Sequence, residues 1–310
     1  MEKGQIIKTT GSWYTVRAVN GEKFRCRIRG KMRTEGFKNT NPVVVGDYVD
    51  FEISDSTVRE GIITGLNERT NYIVRKSTNY SKQSHIIAAN LDQAFLLVTI
   101  AVPETSPEFI DRFLMTAEAY RIPASLVFNK IDMFTPEDLE FLDYLACIYK
   151  EIGYPCYRIS ALKGTQLDEL KAAMAGKITL LSGNSGVGKT TLINTIEPHL
   201  KLKVGEISEY HLKGKHTTTF AEMVELSFGG FLIDTPGIKG FGLINMEKEE
   251  LYHFFPEIFR HASGCQYYNC THTHEPGCAV KKAVENGAIS ESRYNSYLNI
   301  FFEKDNKHRI

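Results

Sequence analysis

The order of apolar and polar positions changes twice along the chain. In residues 1–72, short stretches typical of β-strands alternate with turn signals, and Asn20-Gly21 is a dipeptide that favours a tight hairpin turn. The predicted strands are Gln5–Thr10, Ser12–Val19, Glu22–Arg29, Asp47–Ser54 and Arg59–Leu66. Five short strands in about seventy residues predict a small closed β-barrel of the OB architecture.

From residue 91, apolar strands alternate with amphipathic helices. The series is Gln93–Ile100, helix Pro107–Tyr120, Ala124–Phe128, helix Pro136–Tyr149, Cys156–Ile159, helix Gln166–Met174 and Ile178–Leu181. Such alternation predicts an α/β fold, in which right-handed βαβ units form a parallel sheet with helices on both faces.

Two further segments complete the predicted organisation. Arg75–Ser84 is polar and rich in turn formers, which predicts a linker, and after about residue 244 helical segments flank a group of cysteines. We therefore expect three domains: a barrel at 1–72, an α/β domain at 73–243 and a helical domain at 244–310.

Composition adds few constraints. The 310 residues are 42% hydrophobic and 24% charged, as in ordinary globular proteins. The longest apolar stretch, Ala94–Val102, is too short to span a bilayer, and the first five residues do not open a secretory signal, so we expect a cytoplasmic protein without membrane association. Lys+Arg and Asp+Glu are equal at 37 each, so net charge indicates no partner.

A phosphate-binding loop follows the strand Ile178–Leu181. It reads Gly183-Asn184-Ser185-Gly186-Val187-Gly188-Lys189-Thr190, which is G-x-x-x-x-G-K-[ST] between a strand and a helix, with Thr191 next in that helix. Backbone N–H groups and the helix N-terminus would bind phosphate oxygens. Lys189 is expected to contact the β and γ phosphates, and Thr190 to ligate Mg²⁺.

A second candidate segment for binding a nucleoside triphosphate follows the apolar strand Phe231–Ile233. It reads Asp234-Thr235-Pro236-Gly237. Alone, these four residues indicate only a turn. After a buried strand, Asp234 is a candidate to hold Mg²⁺ through water, and the N–H of Gly237 is a candidate for the γ phosphate.

Guanine recognition is predicted at Asn129-Lys130-Ile131-Asp132, which follows the strand Ala124–Phe128. The carboxylate of Asp132 can accept from N1–H and the exocyclic amine of guanine, and adenine lacks both donors. Asn129 suits the opposite edge of the base. Ser160-Ala161 follows another strand and is expected to place a backbone N–H against guanine O6.

The order of these segments is unusual, because the base-reading segments precede the phosphate loop. Most GTPases have the reverse order, so the domain is predicted to be circularly permuted. Permutation costs little where the ends of a compact domain lie close together.

At this point the chain resembles the circularly permuted GTPases that the small ribosomal subunit stimulates, the RsgA or YjeQ family. The resemblance covers nearly the whole chain: the barrel, the segment Ile87–Asp92, the permuted motifs and the cysteine group. It implies a GTPase that assists late maturation of the small ribosomal subunit in contact with ribosomal RNA.

The resemblance also places a first switch at Gly214-Lys215-His216-Thr217-Thr218-Thr219, with lysine at a position that is often arginine in the family. It implies that Thr218 completes the Mg²⁺ shell, although the neighbouring threonines are alternatives. Ile238 stands where many GTPases have a water-orienting glutamine, and an aliphatic side chain cannot orient water. His216 is therefore our candidate for the catalytic or water-positioning group, against the alternative of a solvated loop histidine.

Three cysteines and a histidine offer a metal site: Cys265, Cys270, His272 and Cys278. Three thiolates and an imidazole can close a tetrahedral Zn²⁺ shell without an open position, which predicts a structural role. The family has the same spacing. His274 is a competing ligand, and disulfides are the alternative to a metal.

The third barrel strand and the residues after it carry cations at alternate positions: Lys23, Arg25, Arg27, Arg29, Lys31 and Arg33. Side chains at alternate strand positions share a face, so the cations would form one row. Like charges in a row repel unless they face an anion, which favours RNA phosphate over a solvated face. Lys281, Lys282, Arg293, Tyr294 and Tyr297 either add RNA contacts or belong to a helical cap.

Two other functions remain open on sequence grounds. An RNA-binding scaffold could hold nucleotide without turning it over, as Ile238 would permit. A kinase or ATPase could share the phosphate loop, although Asn129 and Asp132 argue against it. No long heptad pattern is visible, so we expect a monomer.

Overall fold

The computed structural model describes residues 1–30, 42–55, 57–75, 85–202, 222–234 and 247–303. The predicted cations Lys31 and Arg33, the switch segment Gly214–Thr219 with His216 and Thr218, and Gly237 with Ile238 lie outside these ranges. Within them, no helix combines the length and apolar character needed to cross a bilayer.

The N-terminal part is a closed five-stranded barrel, as predicted. Its strands are β1 (Glu2–Thr10), β2 (Trp13–Ala18), β3 (Lys23–Ile28), β4 (Tyr48–Asp55) and β5 (Glu60–Leu66). They close in the order β1-β2-β3-β5-β4, with β3 and β5 parallel and the other pairs antiparallel. Inward residues at alternate positions, among them Val16, Phe24 and Phe51, form the barrel core.

A short antiparallel hairpin, β6 (Tyr72–Arg75) and β7 (His85–Ala89), joins the barrel to the next part. Val45 forms a parallel bridge with Ala88, and a Cβ on the next residue, Gly46, would lie 2.0 Å from the carbonyl oxygen of Ala89. Glycine is therefore required at this close approach. The predicted linker, Arg75–Ser84, begins at the last residue of β6, and its residues 76–84 lie outside the described ranges.

The second part contains a six-stranded sheet, ordered β10-β9-β8-β11-β13-β12. Its strands are β8 (Gln93–Val98), β9 (Ala124–Phe128), β10 (Cys156–Arg158), β11 (Ile178–Gly183), β12 (Met223–Glu225) and β13 (Phe231–Asp234). All pairs are parallel except β12 with β13. The carboxyl ends of the five parallel strands therefore share one edge, where the predicted nucleotide segments begin.

Helices cover both faces of this sheet. They are α1 (Pro107–Ala119), α2 (Pro136–Ile152), α3 (Leu167–Met174) and α4 (Lys189–Ile196). Adjacent residues of β8 point to opposite faces: Leu96 packs in one core with residues of α1 and α2, whereas Leu97 packs in the other with residues of α3 and α4. The predicted α/β fold with a permuted order of segments is confirmed.

The C-terminal part consists of a 3₁₀ stretch (Lys248–Phe254) and helices α5 (Pro256–Ala262), α6 (Ala279–Glu285) and α7 (Glu291–Phe302). Its core also contains Met115 of α1. Arg293 and Tyr297 are fully buried. These two side chains belong to a packed helical cap, so the alternative in which they contact RNA is wrong.

Candidate functional site

The phosphate loop lies between β11 and α4, and its lysine is held over the loop. Lys189 Nζ donates to the carbonyl oxygens of Gly183 at 2.7 Å and Asn184 at 2.9 Å, and the side chain is buried. Gly188 caps α4 with φ +101°, and a Cβ there would lie 2.4 Å from Asn129 Nδ2. Only glycine permits both this backbone conformation and this approach.

Asn129 joins three of the predicted segments. Its Nδ2 donates to the carbonyl oxygen of Val187 in the phosphate loop at 2.8 Å, and its Oδ1 accepts from the N–H of Ala161 at 2.9 Å. The side chain is 1% exposed. The two partners lie 58 and 32 residues away, so this one amide sets the guanine segments against the phosphate loop.

These bonds change what the base can contact. Because Nδ2 carries two hydrogens, one remains for the guanine edge opposite Asp132. The N–H of Ala161, in the Ser160-Ala161 segment that is predicted to contact guanine O6, donates to Asn129 Oδ1. Guanine O6 would have to share or replace that bond.

Lys130 and Asp132 follow Asn129 in a short turn. Lys130 has a left-handed backbone, with φ 68°, and its Nζ donates to the carbonyl oxygen of Val102 at 2.6 Å. Asp132 lies in a 3₁₀ turn, Ile131–Met133, with an exposed side chain that a ligand can reach. The neighbouring loop is closed by Ser160, whose buried Oγ accepts from the N–H of Lys163 at 3.1 Å.

Only some of the other residues predicted to bind phosphate or Mg²⁺ lie in the described ranges. Ser185 and Gly186 are exposed in the phosphate loop, and Thr190 and Thr191 are half-buried in the first turn of α4. The backbone of Asp234 ends β13 in register with Leu181 of β11, which sets it one strand from the phosphate loop. The roles assigned to Asp234, Gly237, Thr218 and His216 stay predictions.

The four expected metal ligands converge. Their ligand atoms all lie within 4.8 Å of one another. A tetrahedral Zn²⁺ ion with ordinary bond lengths would separate two sulfurs by about 3.8 Å, and a sulfur from a nitrogen by about 3.5 Å. Cys265 Sγ and Cys278 Sγ are 3.9 Å apart, and His272 Nδ1 lies 3.5 Å and 3.6 Å from them.

The chemistry of the donors also fits a divalent cation. Burial raises the pKa of Cys270 to about 12 and also raises that of Cys278, so a cation that binds here has to displace the thiol protons. Burial lowers the pKa of His272, which favours the neutral imidazole that ligates metals. The cluster is therefore compatible with a structural zinc ion.

His274 is not part of the cluster. It is exposed, and its Nδ1 lies 2.9 Å from Thr273 Oγ1. Glu275, which sequence reasoning missed, shapes the loop instead, because its carboxylate accepts from the N–H groups of Thr271, Thr273 and His274. Burial alone would raise the pKa of Glu275, but hydrogen bonds from the Thr271 hydroxyl and from the backbone N–H groups of Thr271 and Thr273 lower it to about 2.

On the barrel, the described members of the cation row lie on one exposed face. Lys23, Arg25 and Arg27 alternate with the buried Phe24 and Cys26, and Arg29 is also exposed. Lys23 pairs with Glu225 at 3.6 Å and Arg29 with Glu52 at 3.0 Å. The guanidinium carbons of Arg25 and Arg27 lie 4.0 Å and 3.9 Å from the ring centre of Trp13, a residue not predicted for this surface.

Comparisons with known proteins agree with this arrangement. The model of the RsgA GTPase family matches residues 66–244, and that of the RsgA N-terminal domain matches residues 3–63. The chain is 56% identical over 303 residues to a protein of Phocaeicola vulgatus named small ribosomal subunit biogenesis GTPase RsgA, covering 98% of this chain and 97% of that one. A protein of the same name from Christiangramia forsetii is 51% identical over 309 residues, covering 99% and 98%.

Two solved structures are similar over the full length. YjeQ from Thermotoga maritima has a TM-score of 0.82 and 36% identity, over 97% of this chain and 98% of that one. YloQ, described as a circularly permuted GTPase, has a TM-score of 0.78 and 32% identity, over 100% of this chain and 97% of that one. The chain therefore belongs to the RsgA GTPase family, whose members are enzymes that hydrolyse GTP.

Proposed function

We propose that this protein is a GTPase of ribosome biogenesis that binds the small ribosomal subunit, assists its late maturation and hydrolyses GTP to GDP and phosphate when the subunit stimulates it. The observation that supports this most is the Asn129 amide, which joins the guanine segment to the phosphate loop. The name of two relatives, small ribosomal subunit biogenesis GTPase RsgA, supports the choice of subunit.

In the nucleotide site, Asp132 accepts hydrogen bonds from guanine, and Asn129 and Lys130 orient the base. Lys189 moves from the carbonyls of Gly183 and Asn184 to the β and γ phosphates, and the N–H groups of residues 183–191 surround them. Thr190, Thr218 and Asp234 would hold Mg²⁺, which neutralises charge on the phosphates when bound. Gly237 donates its N–H to the γ phosphate, and His216 positions water.

The three parts of the chain have separate roles. Residues 1–72 bind ribosomal RNA through Lys23, Arg25, Arg27, Arg29, Lys31 and Arg33, residues 73–243 bind and hydrolyse GTP, and residues 244–310 form a cap stabilised by structural Zn²⁺. The protein acts as a monomer in the cytoplasm.

The test is steady-state GTP hydrolysis by the full chain, titrated with purified small or large ribosomal subunits. We expect small subunits to raise turnover and large subunits to leave it near the basal rate. Lys189→Ala is the control for contaminating hydrolases, because loss of the phosphate-binding ammonium should abolish turnover in every condition. Equal stimulation by both subunits, or none by either, would contradict the proposal.

A further inference from the structure

We propose that Trp13, together with Arg25 and Arg27, forms a binding site for one unpaired nucleotide of RNA, in which the base stacks on the indole and the guanidiniums bind the adjoining phosphates. The inference rests on the proposed RNA-binding function of the barrel. It adds a residue and a mode of contact, because a row of cations alone would attract phosphate without recognising a base.

The pairing of two strands brings the three side chains together. β2 and β3 are antiparallel, with Tyr14 opposite Cys26 and Thr15 opposite Arg25. Tyr14 and Cys26 point into the barrel, so Trp13, one residue before Tyr14, shares the outer face with the arginines. Both guanidinium carbons lie about one van der Waals contact from the ring, at 4.0 Å and 3.9 Å from its centre.

The charge of these two arginines is not balanced within the described part of the chain. The cations on either side of them have carboxylate partners, Glu225 for Lys23 and Glu52 for Arg29. Among the described residues, no carboxylate lies within 4.0 Å of the Arg25 or Arg27 guanidinium, although Glu60 is beside Arg25 in the register of β3 and β5. Two positive charges next to an aromatic face complement a nucleotide, which has a planar base and an anionic phosphate.

Replacement of one arginine by a nucleobase on the Trp13 ring is energetically favourable. An exposed guanidinium gains less from an aromatic ring than a nucleobase gains by stacking on it. A base can therefore displace one arginine from Trp13, and the displaced guanidinium keeps its charge and its five N–H donors for phosphate. In the free protein, the indole holds both side chains close to the position where the phosphates would bind.

An acidic protein segment is the competing partner. It would use the same guanidiniums, but a carboxylate gains nothing from the indole face. The two partners therefore differ in whether binding depends on the ring at position 13 and on the presence of a base.

The experiment uses the fact that Trp13 is the only tryptophan in the chain, so intrinsic fluorescence reports on this site alone. The full-length protein is titrated with a single-stranded RNA 12-mer and with an abasic ribose-phosphate oligomer of the same length. We expect the RNA to quench Trp13 and the abasic oligomer to bind more weakly without comparable quenching. An acidic peptide serves as a third probe.

Two variants separate stacking from charge. Both variants lack the tryptophan, so their affinities are measured by fluorescence anisotropy of labelled oligomers. Trp13→Ala should weaken RNA binding by about 5- to 160-fold, as removal of one stacked base predicts, while binding of the abasic oligomer stays unchanged. Trp13→Phe, which retains an aromatic face, should preserve most of the affinity. Basal GTP hydrolysis and thermal unfolding check that both variants are folded.

Three outcomes would overturn the inference: equal quenching by the abasic oligomer, unchanged RNA affinity in Trp13→Ala, or acidic-peptide binding that exceeds RNA binding. In that case Trp13 only packs against the arginines. The proposed function is separable from this result, because small subunits would still stimulate GTP hydrolysis in wild-type protein and in Trp13→Ala. Failure of stimulation in the wild type would contradict the proposed function itself.

Discussion

The side chain of Asn129 joins two loops that are distant from it in the permuted sequence. Its amide satisfies a carbonyl of the phosphate loop and an N–H of the Ser160 loop, and water is excluded from all three groups. A buried donor or acceptor that loses its partner is costly, so neither loop can move away from Asn129 without a penalty. Because of this, the predicted guanine and phosphate segments form one structural unit.

Asn129→Ala should therefore affect both stability and binding. The substitution leaves the Val187 carbonyl and the Ala161 N–H without partners, at about 1–3 kcal/mol of unfolding free energy for each group. GDP affinity should fall as well, because the loops that hold base and phosphate lose their connection. Urea denaturation measures the first effect, and calorimetric titration with GDP measures the second.

Asn194→Ala provides a matched control for Asn129→Ala. The Asn194 amide also makes two backbone bonds, to the carbonyl and N–H of Leu202 at 2.8 Å and 2.9 Å, but outside the guanine segments. We expect a loss of stability with a smaller change in GDP affinity. If the two variants lower GDP affinity equally, Asn129 has no special role in the site.

A single substitution also tests the metal cluster. Cys270→Ser removes one of four ligand atoms, and the remaining three cannot close the tetrahedral shell. We expect loss of bound zinc, measured by mass spectrometry of the native protein, and a lower melting temperature. Cys147→Ser is the control, since Cys147 is exposed and outside the cluster. Equal zinc content in both variants would exclude Cys270 as a ligand.

At the level of elements, the sequence predicts the bounds of a strand or helix best where its side chains are buried or its ends carry capping residues. Ala124–Phe128 was predicted and is β9, because all five side chains are buried and the apolar run is uninterrupted. Pro107–Tyr120 matches α1 to within one residue, since Ser106 caps it and Pro107 begins it. The C-terminal helices were not delimited, because their turns depend on contacts around the metal cluster.

Among site residues, motifs with fixed spacing were recognised, and contacts between distant segments were not. Asn129, Lys189 and the four metal ligands carry a local signal in the sequence. Trp13 and Arg293 have none, because each acts through partners that only folding brings close. Glu275 binds N–H groups one to four residues before it, but no known motif marks that arrangement. For Arg293 the sequence leaves both an RNA contact and a helical cap open, because it does not show that Asp111 and Glu257 lie next to it in the core.

A helix cap next to the guanine segment gives a prediction for α2. Thr135 forms a capping box, in which its Oγ1 accepts from the N–H of Asp138 at 3.2 Å and the Asp138 carboxylate accepts from the N–H of Thr135 at 3.0 Å. Thr135→Ala should lower the free energy of unfolding by about 1 kcal/mol. Urea denaturation is the measurement.

Ser106→Ala at the start of α1 is the comparison for Thr135→Ala. Its cap has a single bond from the N–H of Phe109, at 3.3 Å, and no reciprocal side chain. We expect a smaller loss than for Thr135→Ala. A larger loss for Ser106→Ala would contradict the expectation that the Thr135 hydroxyl, held in a capping box, stabilises its helix more than a single cap bond does.

At the scale of the molecule, a buried charge network joins the GTPase part to the C-terminal cap. Arg293 of α7 donates to Glu257 of α5 at 2.7 Å and to Asp111 of α1 at 2.7 Å, and Tyr149 of α2 donates to the same Asp111. Arg293 and Asp111 are fully buried. Two carboxylates thus depend on one guanidinium, which fixes the cap against α1.

Arg293→Ala should therefore be among the most damaging single substitutions. It leaves Asp111 and Glu257 buried without their cation, which costs about 3–5 kcal/mol in comparable networks. Arg112→Ala is the matched control, because it removes the half-exposed pair with Glu303 across the same contact, where about 0–1 kcal/mol is expected. Similar unfolding free energies for the two variants would refute the network's role.

The barrel is tied to the GTPase part in a different way. Ile7 and Val45 of the barrel pack in the same apolar cluster as Ile73 and Leu96, and Lys8 and Arg17 pair with Glu222 and Glu225 near the edge strand β12. These ion pairs are partly exposed, so the shared apolar core contributes most of the attachment.

The central claim is that Asp132 reads guanine in the pocket that Lys189 and Asn129 complete, and base specificity tests it most directly. Binding of GDP, ADP and XDP is measured for the wild type and for Asp132→Asn. Xanthine has a carbonyl where guanine has its exocyclic amine, and the asparagine amide can donate to it. We predict that the wild type prefers GDP and that Asp132→Asn prefers XDP, whereas an unchanged preference for GDP would contradict the assignment.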